Sequence, residues 1–203
     1  MRSFSSKKYK DMNLYDLICT SQGDDYDALE ELIKREQKNI YASFCYLGAS
    51  KENVSDLTQE ALFRMSKNIK TLKNPKFFKS WLAHIVSNLF YDELRKKHRC
   101  IEPVSIDSYW NNEDENDNCA LNICDNTNNP DEKTLGKELS DVIKSTICKL
   151  PANFRIVIIL RELQGLSYEE IADITKTSVG TVKSRIHNGK ELLKIALEDL
   201  LTE

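Results

Sequence analysis

Apolar residues recur along this chain at alternating three- and four-residue intervals, the period of helices that bury one side. Between Asp27 and Tyr46 the spacing is carried by Leu29, Leu32, Ile33, Ile40 and Phe44, with Leu47 just beyond. A second helix is predicted from Val54 to about Ile69, with Val54, Leu57, Ala61, Leu62, Met65 and Ile69 inward and Ser55 placed to cap its start. Asp56, Gln59, Glu60 and Arg64 occupy its opposite face. Asn74-Pro75 then breaks the pattern. A third helix follows from Phe77 to about His98, with Phe78, Trp81, Leu82, Ile85, Val86, Leu89 and Leu94 facing in. Trp81 sits on that stripe and is expected in the core.

After residue 135 the pattern shortens. Leu150-Pro151 precedes an apolar helix from Asn153 to Leu163, which Gln164-Gly165 closes, Gly165 being suited to a left-handed cap. Ser167-Tyr168-Glu169-Glu170 has the form of a capping box and opens a short helix to Ile174. Within it Ala172 is small enough for another helix to cross closely. Lys176-Thr177-Ser178 makes a turn, and Ser178 caps a last helix running through Val182, Ile186 and Asn188. Two short helices joined by a tight turn form a helix-turn-helix.

Composition agrees with an all-α fold of two helical domains. Among 203 residues there are only 6 Gly and 4 Pro, while 40% are hydrophobic and 30% charged. Charge is sorted along the chain: residues 1–100 carry net +5, residues 101–135 net −8, and residues 136–203 balance. The acidic stretch includes Asn111-Asn112-Glu113-Asp114-Glu115 and Asn126-Thr127-Asn128-Asn129-Pro130, and it reads as a flexible linker between the domains. The expected organisation is an N-terminal extension over 1–24, a first domain over 25–100, the linker over 101–135 and a second domain over 136–203. The longest apolar runs, such as Ile156-Val157-Ile158-Ile159-Leu160, fall far below the roughly 20 residues of a bilayer span. Met1 to Asp11 is polar and basic without an apolar signal core, so the expected location is the cytoplasm. Six cysteines are then expected as free thiols. Cys119 and Cys124, with His98 and Cys100 upstream, have a Cys-x4-Cys spacing in a loop-like tract, and neither a metal nor another cofactor is expected.

The second helix of a helix-turn-helix lies in the major groove with its first residues near base edges. Val182, Ile186 and Leu193 would face inward, leaving Lys183, Ser184, His187, Asn188 and Lys190 outward. Lys183 and Asn188 match guanine and adenine edges, Thr181, Ser184, Arg185 and Lys190 match phosphates, and Gly180 admits a close backbone approach.

Leu150-Pro-Ala-Asn-Phe-Arg, Leu160-Arg-Glu-Leu-Gln-Gly-Leu-Ser-Tyr-Glu-Glu-Ile-Ala and Ser178-Val-Gly-Thr-Val-Lys-Ser-Arg-Ile-His resemble region 4 of the extracytoplasmic-function sigma factors of bacterial RNA polymerase. Asp56-Leu-Thr-Gln-Glu-Ala-Leu-Phe-Arg-Met resembles their region 2.2, and the stretch from Phe78 to Arg99 resembles regions 2.3 and 2.4. The resemblance implies an alternative sigma factor, not an enzyme, whose partners are core polymerase, through the β′ clamp helices and the β subunit, and promoter DNA. It places Asp56, Gln59, Glu60 and Arg64 on the clamp helices. It places Asn88 in a pocket for a flipped minus-ten base framed by Phe77, Phe78 and Lys79, where stacking and edge hydrogen bonds are the required chemistry. The run Arg95, Lys96, Lys97, His98 and Arg99 has more cations than helix capping needs and suits phosphates. Members of the family are often held inactive by an anti-sigma factor, frequently membrane-anchored, which is a further expected partner. Two rival readings stand beside this one. A free-standing helix-turn-helix regulator leaves the first-half match unexplained. An enzyme in the first half has His84 and His98 but no phosphate loop, nucleophile elbow or metal spacing.

Overall fold

The computed structural model describes residues 5–99 and 134–202, and the side chains within 8–50, 52–96 and 142–198. The acidic linker, Cys100, Cys119 and Cys124 lie outside the described residues. In the first half, helices α1 (Ser5–Lys10), α2 (Leu14–Gln22), α3 (Tyr26–Tyr46), α4 (Lys51–Asn68) and α5 (Phe78–Arg99) surround one apolar core. In the second, α6 (Thr134–Lys149), α7 (Ala152–Ile158), α8 (Tyr168–Thr175) and α9 (Val179–Thr202) form the other layer. Among the described residues every regular element is helical.

The stretch read as an extension is part of the first core. Leu17 and Ile18 are buried, and Arg35 of α3 donates to the carbonyls of Met12, Lys10 and Tyr9. Asp25 caps α3 by accepting from the Ala28 amide at 3.0 Å, and it also accepts from the Tyr9 hydroxyl at 2.7 Å. Those two bonds, the amide's first, hold its carboxyl below the ordinary aspartate range. A depressed carboxylate contributes stability that is present above its unfolded pKa and is lost as pH falls through the folded one. Asp25→Asn keeps a capping oxygen but no titrating charge. The variant is therefore expected to be less stable than the wild type at neutral pH, with the gap closing on acidification; urea midpoints measured from pH 7 downward check this, and a gap independent of pH rejects it.

Helix α4 begins earlier than the pattern suggested, with Ser50 and not Ser55 at the N-cap position. Ser55 lies inside the helix because Lys51 to Asn53 continue it upstream, and the Asn53 amide reaches Glu93 on α5. Helix α6 was not evident in the sequence reading. The helix read as Asn153 to Leu163 is α7 continued by a π-helical turn over Ile159–Leu163. The wider turn ends at Gly165, whose φ of +70° suits a residue without Cβ.

The helix-turn-helix follows the expected form closely. Ser167 Oγ accepts from the Glu170 amide at 3.2 Å while Glu170 returns to the Ser167 amide at 2.9 Å. Lys176 takes the left-handed conformation, φ 55°, at the end of α8. Ser178 Oγ accepts from the Thr181 amide at 3.0 Å and starts α9. Val182 and Ile186 are buried beneath α8, as their spacing predicts. Helix α9 also runs tight against α7 at Gly189, where a Cβ would meet Ile158 Cδ1 at 2.6 Å.

Candidate nucleic-acid interface

On α4 the buried residues Val54, Ala61 and Met65 fix which side of the helix faces out. Asp56 and Gln59 are exposed there, and Glu60 holds Arg64 Nε at 2.6 Å, a half-exposed pair that costs little to rearrange. Phe63 joins them at 59% exposure, with Lys67 over its ring. Sequence reading overlooked it. Its signal was an aromatic at a polar-face position, seven residues from Asp56 and therefore on the same side of the helix.

The short turn Pro75–Phe77, capped by Asn74, leads into α5 and turns Phe77 outward at 59% exposure beside exposed Lys79. Phe78 takes the inward place that the apolar spacing predicts and does not line the pocket frame that the resemblance assigned to it. It is 1% exposed and packs near Trp81, ring centroids 6.0 Å apart, because one residue of helix rotates the side chain by about 100° into the core. Phe78 therefore supports the turn from within while Phe77 remains the accessible aromatic.

Asn88 is exposed on α5, its rotation set by the buried neighbours Ser87 and Leu89. His84, Asn88, Asp92 and Arg95 share one stripe by their spacing. Arg95 Nη1 holds Asp92 at 3.2 Å, and Lys96 is exposed. The side chains of Lys97, His98 and Arg99 lie outside the described residues. His84 Nε2 meets Asp173 of α8 at 3.1 Å, across the two halves. That bond, then the neighbouring Lys176, holds the Asp173 carboxyl below its usual range.

On α9, Gly180, Lys183, Ser184, His187 and Asn188 are exposed, and Thr181 is half-buried against the cap. Lys183 Nζ stands 5.7 Å above the Tyr168 ring, which also carries Arg161 at 4.7 Å. Lys190 is exposed but turned to Glu162 at 2.7 Å; such a surface pair exchanges readily for a phosphate. Arg185, matched to phosphates by its side-chain type, is less open than its neighbours Lys183 and Ser184. It is half-buried towards Tyr91 of α5, and burial lowers its pKa from the ordinary arginine value. The same contact region buries Tyr91 and raises its hydroxyl pKa.

Among the described residues no three metal-ligating side chains gather, and no helix is long and apolar enough to cross a membrane.

Comparison with known proteins adds a separate line. Residues 32–100 match the family Sigma-70 region 2, and residues 140–193 match Sigma-70, region 4. The ECF RNA polymerase sigma factor SigW of Bacillus subtilis is 36% identical over 181 residues, covering 87% of this chain and 92% of that protein. The ECF RNA polymerase sigma-E factor of Escherichia coli is 31% identical over 185 residues, covering 91% of this chain and 94% of that protein. In fold, the chain is similar to the sigma factor RpoE from Bartonella quintana, solved with the anti-sigma factor NepR, at a TM-score of 0.61 and 22% identity over 83% of this chain and 96% of that one. A free-standing helix-turn-helix regulator accounts for the second match and leaves the first without a reason. With both regions present in order and relatives aligned along nearly their whole lengths, the chain belongs to the extracytoplasmic-function family of RNA polymerase sigma factors, alternative sigma factors that direct promoter-specific transcription initiation.

Proposed function

We propose a division of labour among three exposed faces. The α4 face of Asp56, Gln59, Glu60 and Arg64, with Phe63 as an aromatic anchor, binds the clamp helices of polymerase β′. Asn88, Phe77 and Lys79 hold an unpaired minus-ten base while Arg95, Lys96, Lys97 and Arg99 meet phosphates. Gly180, Thr181, Lys183, Ser184, Arg185, His187, Asn188 and Lys190 on α9 read the minus-thirty-five element, and region 4 also meets the β subunit. In this reading residues 25–100, together with the helices α1 and α2 that pack on them, form the minus-ten domain, 101–135 an acidic spacer and 136–203 the minus-thirty-five domain. The protein acts in the cytoplasm without catalysis of its own, and the polymerase supplies the chemistry. An anti-sigma factor is its expected regulator, as NepR accompanies RpoE in the structure of similar fold.

The observation that carries the reading is that each polar face stands on a helix whose opposite side is locked in a core, so the faces are preset and not induced. Run-off transcription with core polymerase on the DNA upstream of the protein's own coding sequence tests it. Initiation is expected only when both proteins are present, and a gel shift that is equally strong without core enzyme would favour the free-standing regulator.

Charge reversal at Asp56 and Glu60 together is expected to reduce core-polymerase binding severalfold through like-charge juxtaposition. At exposed positions such changes leave stability within about 0.5 kcal/mol. Co-purification of the folded double variant with core enzyme measures the effect, and undiminished recovery counts against the α4 face.

A further inference from the structure

The connection from α4 to α5 is tied at its start by a side chain from α2. Helix α4 runs out through the tight turn Ile69–Thr71, where the Leu72 amide returns to the Ile69 carbonyl at 3.2 Å and the chain leaves helical geometry. Carbonyls at such an end lack the partners they would have inside a helix. Gln22, the last residue of α2, meets two of them: its Nε2 donates to the Ile69 carbonyl at 2.9 Å and to the Leu72 carbonyl at 2.7 Å. A carboxamide nitrogen carries two hydrogens, so both are used and the amide is held in one orientation. The corner after it is shaped to aim it. The Gly23 amide closes α2 on the Thr20 carbonyl at 3.0 Å, Asp24 takes φ 65°, and Asp24 then pairs with Lys70. That ion pair is exposed on both sides and contributes little by itself.

We infer that Gln22 is a positioning residue for promoter opening, holding the α4–α5 connection, with Phe77 and the exposed Lys73, Lys76 and Lys79 upon it, in the shape that meets the unpaired strand. The inference rests on the proposed role of that surface in holding a minus-ten base. Gln22 lies outside residues 32–100, the stretch that matches Sigma-70 region 2, and adds a residue of α2 to the machinery of that region.

The connection is short, and its two ends are held by different means. Leu72 at one end is 8% exposed and Phe78 at the other 1% exposed, but apolar burial is non-directional and leaves the backbone between them free to rotate. Direction comes from hydrogen bonds. Asn74 Oδ1 accepts from the Lys76 amide and the Asn74 carbonyl from the Phe77 amide, both at 3.0 Å. Those bonds lie within the segment and fix its shape, whereas the Gln22 amide fixes its seat against the core. Without that seat the Phe77 ring and the neighbouring cations would shift together, and both stacking and phosphate attraction would weaken. The polar face of α4 and the recognition helix α9 do not depend on the connection. Loss of the Gln22 donor therefore acts after recruitment, at the stage where a base leaves the stack.

Three substitutions separate the donor from the rest of the side chain. Gln22→Met keeps its length without donors, and Gln22→Glu keeps its polarity while offering two carbonyls only acceptors. Gln22→Lys restores donors at a helix end that favours a cation. Each full-length chain, its helicity verified by circular dichroism, is assembled with core polymerase on the DNA upstream of its own coding sequence. A gel shift reads recruitment to duplex, and permanganate reactivity of promoter thymines reads opening. The Met and Glu variants are expected to open the promoter about tenfold less than the wild type at undiminished recruitment, and the Lys variant to recover most of the opening. Wild-type opening by a folded Met or Glu variant overturns the inference, as does an equal defect in all three. Loss of recruitment in step with opening, or loss of the fold in both donorless variants, also overturns it, because Gln22 would then serve the fold alone. Phe77→Ala run in parallel tests the surface itself: wild-type opening there beside a defect in Gln22→Met keeps the positioning role and rejects Phe77 as the ring on the base.

Discussion

Promoter opening by polymerase carrying the Asn88→Ala chain is expected to fall by roughly 5- to 150-fold, the equivalent of about 1–3 kcal/mol for a lost base-edge contact. The position allows the effect to be assigned. Asn88 is exposed, and the side chains on either side of it, Ser87 and Leu89, are buried, so truncation leaves the helix and its packing in place. Recruitment to duplex DNA depends on the other domain and should survive, since a base becomes available to the amide only after it leaves the stack. Permanganate reactivity of promoter thymines separates the two stages. Wild-type reactivity in the variant removes Asn88 from the pocket, and parallel loss of recruitment would mean that the defect lies elsewhere. Phe77→Ala should share the phenotype because stacking on the same base requires an accessible ring, whereas Phe78 lies inside the core and its truncation would act through stability.

That contrast shows what sequence could and could not convey. The family resemblance gives both adjacent phenylalanines to the pocket, whereas the helix phase set by Trp81, Leu82 and Val86 turns Phe78 inward, as the apolar spacing predicts, and leaves Phe77 outside. The helix-turn-helix was legible in detail because its signals are local: the capping box, Gly165 and the Ser178 cap each act within a few residues. Helix α2 carried a legible signal too, with Leu14, Leu17 and Ile18 spaced behind an Asn13 cap, yet its short polar flanks made it read as an extension. Helix α6 was masked by the acidic stretch that precedes it, although Val142, Thr146 and Ile147 hold the helical period. The pairing of Arg155 with Leu47 spans 108 residues, and no local rule reaches so far. In a Leu-Pro-x-x-x-Arg sequence the arginine reads as part of a family motif, and nothing local names the Leu47 carbonyl to which it donates.

Within the recognition helix the structure sharpens the difference between reading and positioning. Asn188 and Lys183 are exposed and five residues apart, so they would meet different base pairs, whereas Arg185 lies between them in sequence but is half-buried towards Tyr91. Neutral Asn188 adds little to general attraction for a polyanion. Asn188→Ala is therefore expected to change base preference at one position of the upstream element, at a cost of about 1–3 kcal/mol, with almost no change in the dependence of binding on salt. Arg185→Ala should instead weaken binding to every sequence and lower the salt slope by roughly one, since a lost phosphate contact releases one counterion fewer. Promoter libraries mutated across the upstream element, measured at several salt concentrations with and without core polymerase, resolve both effects. If Asn188→Ala leaves base preference untouched while Arg185→Ala alters it, α9 meets DNA in a different rotation, with Arg185 turned from Tyr91 to a base edge.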